Sequence, residues 1–566
     1  MKTVELLTEE GKRLTGQPWQ TYPRPQMRRD SFCNLNGLWE FCISAAETFP
    51  DAYDRQIRVP FAPQSVLSGI HEAPDPEKYL FYRKSFPRPE GFGRGRVLLH
   101  FGAVDQCAQV RLNGVDLGSH TGGYTHFTFD VTELLARENV LEVRACDRLD
   151  QRLPYGKQTH KRGGMWYTPV SGIWQTVWME CVPQTYIQSL VIKTDARSAR
   201  ITLPGQSLSG TVTVQTPQGE RRFPLRRGQA LIEPDSPRLW SPEDPYLYEF
   251  TLTAGEDQVR SYFALRTLQI KQEAGAPRLC LNGKPYFFHG LLDQGYWPDG
   301  LFTPAQPELY ARDIRAAKAL GFNTLRKHIK VEPEQFYYDC DRLGMIVFQD
   351  MVNNGAYRFW HDTALPTLGI QKRKDRNMHK DPETRSRFLQ AMEDTVRQLW
   401  NHPCICYWTI FNEGWGQFDS GAAYARLRTL DDSRFIDSAS GWFRGGASDV
   451  DSRHVYFKRF RLPKSDKPVV LSEFGGYACR VPGHVFNLDK NYGYGSCRTG
   501  QELEQKLTEL YRRQIVPAVE KGLCAAIYTQ ISDVEDETNG LLTYDRAVCK
   551  VSGKAMKSLA DALKYR

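Results

Sequence analysis

The chain lacks any run of about 18 apolar residues, the length a membrane-crossing helix needs, so no membrane span is expected. Residues 1–12 mix acidic and basic side chains around no apolar core, and no signal peptide is expected there. No pair of Cys-x-x-Cys or His-x-x-x-His spacings occurs, which speaks against a zinc centre. The 13 cysteines are odd in number and scattered mostly through apolar strands, Cys404 and Cys406 alternating with Ile405. They read as buried thiols of a reducing cytoplasm rather than a disulfide framework. A concentrated basic face is also missing. A net charge of +8 over 566 residues is mild, so nucleic acid is not an expected partner and only a slight pull towards anionic ligands remains.

What is present is an ordinary globular composition, 41% hydrophobic and 25% charged, on a chain long enough for about three domains. Aromatic residues, at 12%, are plentiful enough to stack on sugar faces or to fill β-sandwich cores. Residues 1–183 read as all-β. Segments such as Gly37–Ile43, Arg94–Phe101, Ala108–Leu112, His126–Asp130 and Asn139–Ala145 are separated by turn signals such as Asn113-Gly114. Residues 184–271 read as a smaller β unit, with strands at Ser189–Thr194, Gly210–Gln215, Gln229–Ile232 and Tyr246–Thr253. From 272 to 566 strands alternate with helices. Strand signals fall at Tyr286–Leu292, Thr324–Ile329, Met345–Met351, Cys404–Phe411, Phe435–Ser440, His454–Phe457, Val469–Glu473 and Cys524–Ile531. Helical spacing runs through Pro307–Leu320, Glu383–Trp400 and Gln501–Lys521. Eight such units spell a (β/α)8 barrel, whose chemistry sits at the C-terminal ends of its strands.

Two of these strand ends stand out. Cys404–Phe411 runs into Asn412, Glu413, Gly414 and Trp415, and Val469–Leu471 runs into Ser472, Glu473 and two glycines. Two strands that deliver one glutamate each to the same rim make a carboxylate pair, the chemistry of glycoside hydrolysis. A proton donor needs its neutral form favoured, and an apolar strand end beside Trp415 disfavours the charged carboxylate. Glu413 could instead be a first-turn acid or cap of the helix that follows.

Phe411-Asn412-Glu413-Gly414-Trp415 and Ser472-Glu473-Phe474-Gly475-Gly476 resemble the two catalytic signatures of glycoside hydrolase family 2, which includes β-galactosidases, β-glucuronidases and β-mannosidases. Leu35-Asn36-Gly37-Leu38-Trp39, Tyr79–Arg83 and Trp166–Trp174 resemble that family's sugar-binding jelly roll, the last segment carrying a loop towards the active site. Trp240–Tyr248 and Phe263–Ile270 resemble its immunoglobulin-like domain. The resemblance implies a jelly-roll sandwich, an immunoglobulin-like sandwich and a catalytic TIM barrel. It implies that Glu413 is the acid/base, Glu473 the nucleophile, and Asn412 a contact to the sugar 2-hydroxyl. Tyr456 resembles the tyrosine that bonds the nucleophile, and Arg326, two residues before His328, resembles an arginine beside it. Asp293 and Asp350 end the first and third strands, where they could bind sugar hydroxyls or cap the next helix. His328 and Trp415 are further candidates for the sugar site. On the last strand many members carry a tryptophan platform; here Tyr528 and Gln530 are available. No metal or cofactor is required, and the implied partner is a small glycoside. Family members are often dimers or tetramers, so a homo-oligomer is allowed.

The sugar is less legible. β-Glucuronidases of the family carry an Asn-x-Lys motif after the last strand; here Asn539 is followed two places on by Leu541. Arg444 and the cluster Lys458, Arg459 and Arg461 either hold a uronic carboxylate or form a solvated basic loop. The expected activity is therefore retaining exo-hydrolysis of a β-galactoside or a β-hexuronide. A binding protein without turnover and an endo-acting glycanase are the alternatives.

Overall fold

The computed structural model describes residues 3–565 other than 368 and 371–373. Near the N-terminus the alternating strands build a four-stranded and a six-stranded antiparallel sheet. Their inward residues, among them Trp39, Phe41, Tyr82, Leu99, Val110, Val143 and Met179, form one buried core. This is the jelly-roll sandwich. A three-stranded and a four-stranded sheet follow, closed over Ile201, Val212, Val214, Phe250, Leu252 and Phe263; this is the immunoglobulin-like domain. Phe263–Ile270 does not form one exit strand. Asp257–Phe263 ends the second sandwich, and Leu268–Glu273 belongs to a small hairpin sheet beside the barrel.

The barrel strands are β1 (Phe288–Asp293), β2 (Thr324–Lys327), β3 (Ile346–Asp350), β4 (Ile405–Thr409), β5 (Phe435–Asp437), β6 (Asp451–Val455), β7 (Val469–Gly475) and β8 (Leu523–Thr529). All pairings are parallel, in the order β5-β4-β3-β2-β1-β8-β7-β6. Every residue of β1 to β5, β7 and β8 is buried, as strands between a packed interior and a helical coat must be. Phe288, Phe348, Tyr407 and Phe435 pack ring against ring, Phe348 stacking on Tyr407 and Phe435 meeting Phe288 edge-on. They fill the barrel and leave its polar groups at the rim.

Helices α1 (Glu308–Ala319), α2 (Glu334–Leu343), α3 (Pro382–Leu399) and α4 (Ser420–Leu430) coat the first strands. No helix separates β5 from β6 or β6 from β7, so these crossovers are loops. The barrel is nearly closed, because β5 and β6 are not paired as strands. A serine bridge from Ser440 to Ser452 (3.3 Å) spans the gap.

The first sandwich reaches the rim through residues 153–170. Tyr155 donates from its backbone to the Asn353 carbonyl (3.0 Å) and from its hydroxyl to the Gly355 carbonyl (2.9 Å). Trp174 belongs to the barrel's core cluster rather than the sandwich's, unlike Trp39. No helix among the described residues is long and apolar enough to cross a membrane.

Candidate active site

Glu473 sits at an irregularity of β7. The register of β7 shifts near Ser472 and Glu473 against both neighbouring strands. Regular pleating would send these two residues to opposite faces, but a bulge re-aims side chains, and here both join the interior network. The Ser472 hydroxyl lies 2.6 Å from Ser452 and 3.0 Å from Ser440. The Glu473 carboxylate accepts from Arg326 (2.9 Å) on one oxygen and from the Tyr456 hydroxyl on the other.

Arg326 is the hub. It is 1% exposed and donates to Asp350 (3.0 Å), Glu473 (2.9 Å), the Ser472 carbonyl (3.1 Å) and the Asn412 side chain (2.8 Å). Burial would push the Glu473 carboxyl up, but the positive charges facing it from His454 and Arg326 outweigh burial and hold it down at about 2. It is ionised throughout the neutral range.

Glu413 arrives differently. Its backbone is left-handed, with φ +51°, a conformation a side-chain-bearing residue adopts only when its surroundings enforce it. The Ser440 carbonyl fixes its amide (2.9 Å). A Cβ at the following Gly414 would lie 2.6 Å from the Phe443 ring, so glycine is required there. The one side-chain partner of Glu413 among the described residues is His454, whose Nδ1 lies 2.8 Å from Oε1. His454 Nε2 lies 2.8 Å from the Ser440 hydroxyl and 3.6 Å from Glu473. One imidazole thus stands between the two carboxylates, and one ligand atom of each of Glu413, His454 and Glu473 lies within 4.8 Å of the others. Both ring nitrogens are committed to close polar partners, which makes this a hydrogen-bonded relay more than an open cation site.

The remaining expected residues divide. Asn412 joins the cluster, and its amide nitrogen is buried without a partner among the described residues. His328 faces Asp350 (2.9 Å). Asp350 also accepts from Arg326, so its oxygens serve the hub and are not turned to a ligand. Asp293 accepts from Lys327 (2.7 Å) and from the Gly295 amide (2.9 Å). Gln530 donates to Glu537 and Asn539, at 2.7 Å each. Trp415 is buried, stacks on Trp166 of the first sandwich (5.3 Å between centroids), and meets the edge of Tyr357.

Tyr528 lies elsewhere than expected. It is wholly buried behind β7, against Phe474, with its hydroxyl accepting from the Tyr477 amide (3.3 Å). Alternation along β8 turns the next residue inward, and Thr529 lies 3.1 Å from the Tyr456 hydroxyl. The basic loop is also outside the cluster: Lys458, Arg459 and Arg461 are exposed. Arg444 pairs with Asp451 (2.6 Å) and lines a separate cavity of about 810 Å³ with Lys374, Arg376, Arg453 and Lys467, which none of Glu413, Glu473, Asn412 or Tyr456 lines.

Sequence reasoning passed over His454, Thr529, Tyr494 and Glu537. His454 was findable, since it lies two residues before Tyr456 and so on the same strand face. Tyr494 stacks on Tyr456 with ring centroids 3.6 Å apart. Glu537 accepts from Tyr167 (2.8 Å). These two come from long loops, where no periodicity announces them.

Replacing Arg326 by methionine leaves Asp350 and Glu473 buried without their cation. Loss of one partner from such a network is expected to cost roughly 3–5 kcal/mol at pH 7, read from urea midpoints. The Glu473 carboxyl lies below its ordinary 4.5. Its stabilising contribution is therefore complete above 4.5 and fades as pH falls towards about 2. In the variant the acid-side loss of both stability and turnover should move to higher pH. An unshifted acid limb would contradict the role given to Arg326.

A nearly closed parallel barrel behind two β-sandwiches, with two glutamates converging at its rim, defines a three-domain barrel protein of the kind that works on sugars. Residues 273–484 match "Glycosyl hydrolases family 2, TIM barrel domain", 76–173 match "Glycosyl hydrolase 2 galactose-binding domain-like", and 185–266 match "Glycosyl hydrolases family 2". The chain belongs to glycoside hydrolase family 2. It is similar to a β-galactosidase of Thermoanaerobacter pseudethanolicus, at 24% identity over 67% of this chain and 51% of that one. It is also similar to a β-glucuronidase of Bacteroides fragilis, at 25% identity over 69% and 59%. It thus spans about half to three fifths of the length of these two relatives. In structure it resembles a β-glucuronidase of an uncultured Clostridium, with a TM-score of 0.72, 18% identity, and 95% and 98% of the two chains covered. That likeness establishes the fold.

Proposed function

We propose that the protein is a retaining exo-β-glycosidase. The observation that carries this reading is the unequal environment of two close carboxylates. Glu473 is held ionised at about 2 by the charges of His454 and Arg326, whereas Glu413 lacks the arginine and has His454 as its one side-chain partner among the described residues. An oxygen of each lies within 4.8 Å of the other. So close an approach of two oxygens supports retention, for which carboxyls stand about 5–5.5 Å apart, over inversion at about 6.5–9.5 Å.

In this mechanism a Glu473 oxygen forms a bond to the anomeric carbon as the glycosidic C–O bond breaks, and the Glu413 proton goes to the leaving oxygen. A water then attacks the same carbon and gives its proton to Glu413 while the bond to Glu473 breaks. The free amide of Asn412 would donate to the sugar 2-hydroxyl, a contact that strengthens as the transition state forms. Residues 153–170 wall one side of the rim, with Trp166 on Trp415 and Tyr167 on Glu537, which favours removal of terminal sugars. All 13 cysteines are unpaired, which suits a reducing compartment such as the cytoplasm.

The leading substrates are β-hexuronides and β-galactosides, the classes that the relatives' names carry. A panel of p-nitrophenyl β-galactoside, glucoside, mannoside, glucuronide and galacturonide tests the reading. Turnover of at least one, abolished in Glu473→Gln, is expected. Binding without turnover across the panel would instead indicate a sugar-binding protein.

A further inference from the structure

Lys157 is a buried cation without an acceptor among the described residues. It is 8% exposed and lies on the segment of the first sandwich that covers the rim. Its ammonium contacts two ring faces, 5.5 Å from the Trp415 centroid and 5.7 Å from that of Tyr167. Among the described residues it has neither a carboxylate within 4.0 Å nor a hydrogen-bond acceptor. The other buried lysines at the rim are all matched. Lys327 pairs with Asp293 and Glu332, Lys330 with Glu332, and Lys550 with Asp533. Ring faces compensate a desolvated ammonium only in part, so the position favours an incoming anion.

The charge of Lys157 is felt by two groups at the rim, His328 and Glu537. After burial, it is the next cause holding His328 below its ordinary value. Burial pushes the Glu537 carboxyl up, and Lys157 pulls against it. Both groups feel the ammonium and neither pairs with it. Its position is fixed by its neighbours: the Lys157 carbonyl accepts from the Tyr167 amide (3.0 Å), Tyr167 donates to Glu537 (2.8 Å), and the Thr168 amide donates to Glu535 (2.9 Å).

We infer that Lys157 binds the carboxylate of a terminal β-hexuronic acid and so sets the preference for uronides over neutral hexosides. The inference rests on the glycosidase reading above and narrows its substrate. It moves carboxylate recognition from the barrel loops after β5 and β6, where Arg444 is paired and Lys458 and Arg459 face solvent, to the first sandwich. The missing Asn-x-Lys lysine at position 541 is then replaced by a cation from another domain.

The test measures kcat/KM for p-nitrophenyl β-D-glucuronide and galacturonide against the β-D-glucoside and galactoside, in wild type, Lys157→Met and Lys157→Arg. Losing a charged hydrogen bond should lower the uronide-to-hexoside ratio by about 10- to 100-fold in Lys157→Met, with arginine restoring part of it. A merely structural lysine would lower both substrates together and leave the ratio unchanged, which overturns the inference while the glycosidase reading stands. Wild type that turns over hexosides only also overturns it. Calorimetric titration with D-glucuronate and D-galacturonate against D-glucose reads Lys157 independently of turnover. Weaker uronate binding in Lys157→Met sustains the inference even in a protein that hydrolyses nothing, the outcome that would sink the glycosidase reading instead. Equal uronate binding in both proteins overturns it.

Discussion

Glu473→Gln is expected to lose about four orders of magnitude or more in kcat, because an amide neither attacks the anomeric carbon nor balances its developing charge. The variant keeps the side-chain shape and removes the charge that Arg326 meets at 2.9 Å, so a lowered melting point is expected beside the lost activity. Truncation separates the two effects. Glu473→Ala opens space on the face from which the carboxylate attacks, and azide can enter it. Azide should then restore turnover of an activated aryl glycoside and yield a glycosyl azide of inverted configuration, with Glu413 still able to protonate the leaving oxygen. An inactive variant that azide does not rescue, although folded, would mean that Glu473 is not the attacking group.

The second large effect belongs to Glu413 and depends on the leaving group. General acid catalysis contributes typically about 10²–10⁴-fold, and only where the departing oxygen needs a proton. In Glu413→Gln, alkyl glycosides should fall by about that factor, while a dinitrophenyl glycoside should still release its phenol rapidly. The next step has no base, so the glycosyl-enzyme should accumulate and phenol should appear as a burst followed by slow turnover. His454 lies 2.8 Å from Glu413 Oε1 and supports the proton's position. A uniform loss across leaving groups, with no burst, would remove Glu413 from the role of acid.

The fold was legible because its signals are local. Most of the barrel strands, such as β3, β4, β7 and β8, are apolar runs with turn residues around them, and α1 and α3 carry clear helical spacing. The loops that replace helices between β5 and β7 were not legible, since a missing helix leaves no pattern. In the site, the residues read from strand ends fall together: Glu413, Glu473, Asn412, Arg326 and Tyr456 share one hydrogen-bonded cluster. Tyr528 and Thr529 show where such reading stops. A strand end names two adjacent candidates, and only the pleat decides which one faces inward. Lys157 lies in another domain, roughly 170 positions upstream of β2, and no spacing rule connects it to the rim. The basic run at 458–461 drew attention by its density of charge. Density is what solvent tolerates best, whereas one buried ammonium is what a ligand would need to meet.

Retention itself is the claim on which the mechanism stands. Proton magnetic resonance of the first-formed sugar, recorded before mutarotation during rapid hydrolysis of the best panel substrate, reads it directly. The account predicts that the β-anomer appears first and equilibrates later. Initial appearance of the α-anomer would contradict a covalent intermediate on Glu473 and require a water held between the two carboxylates.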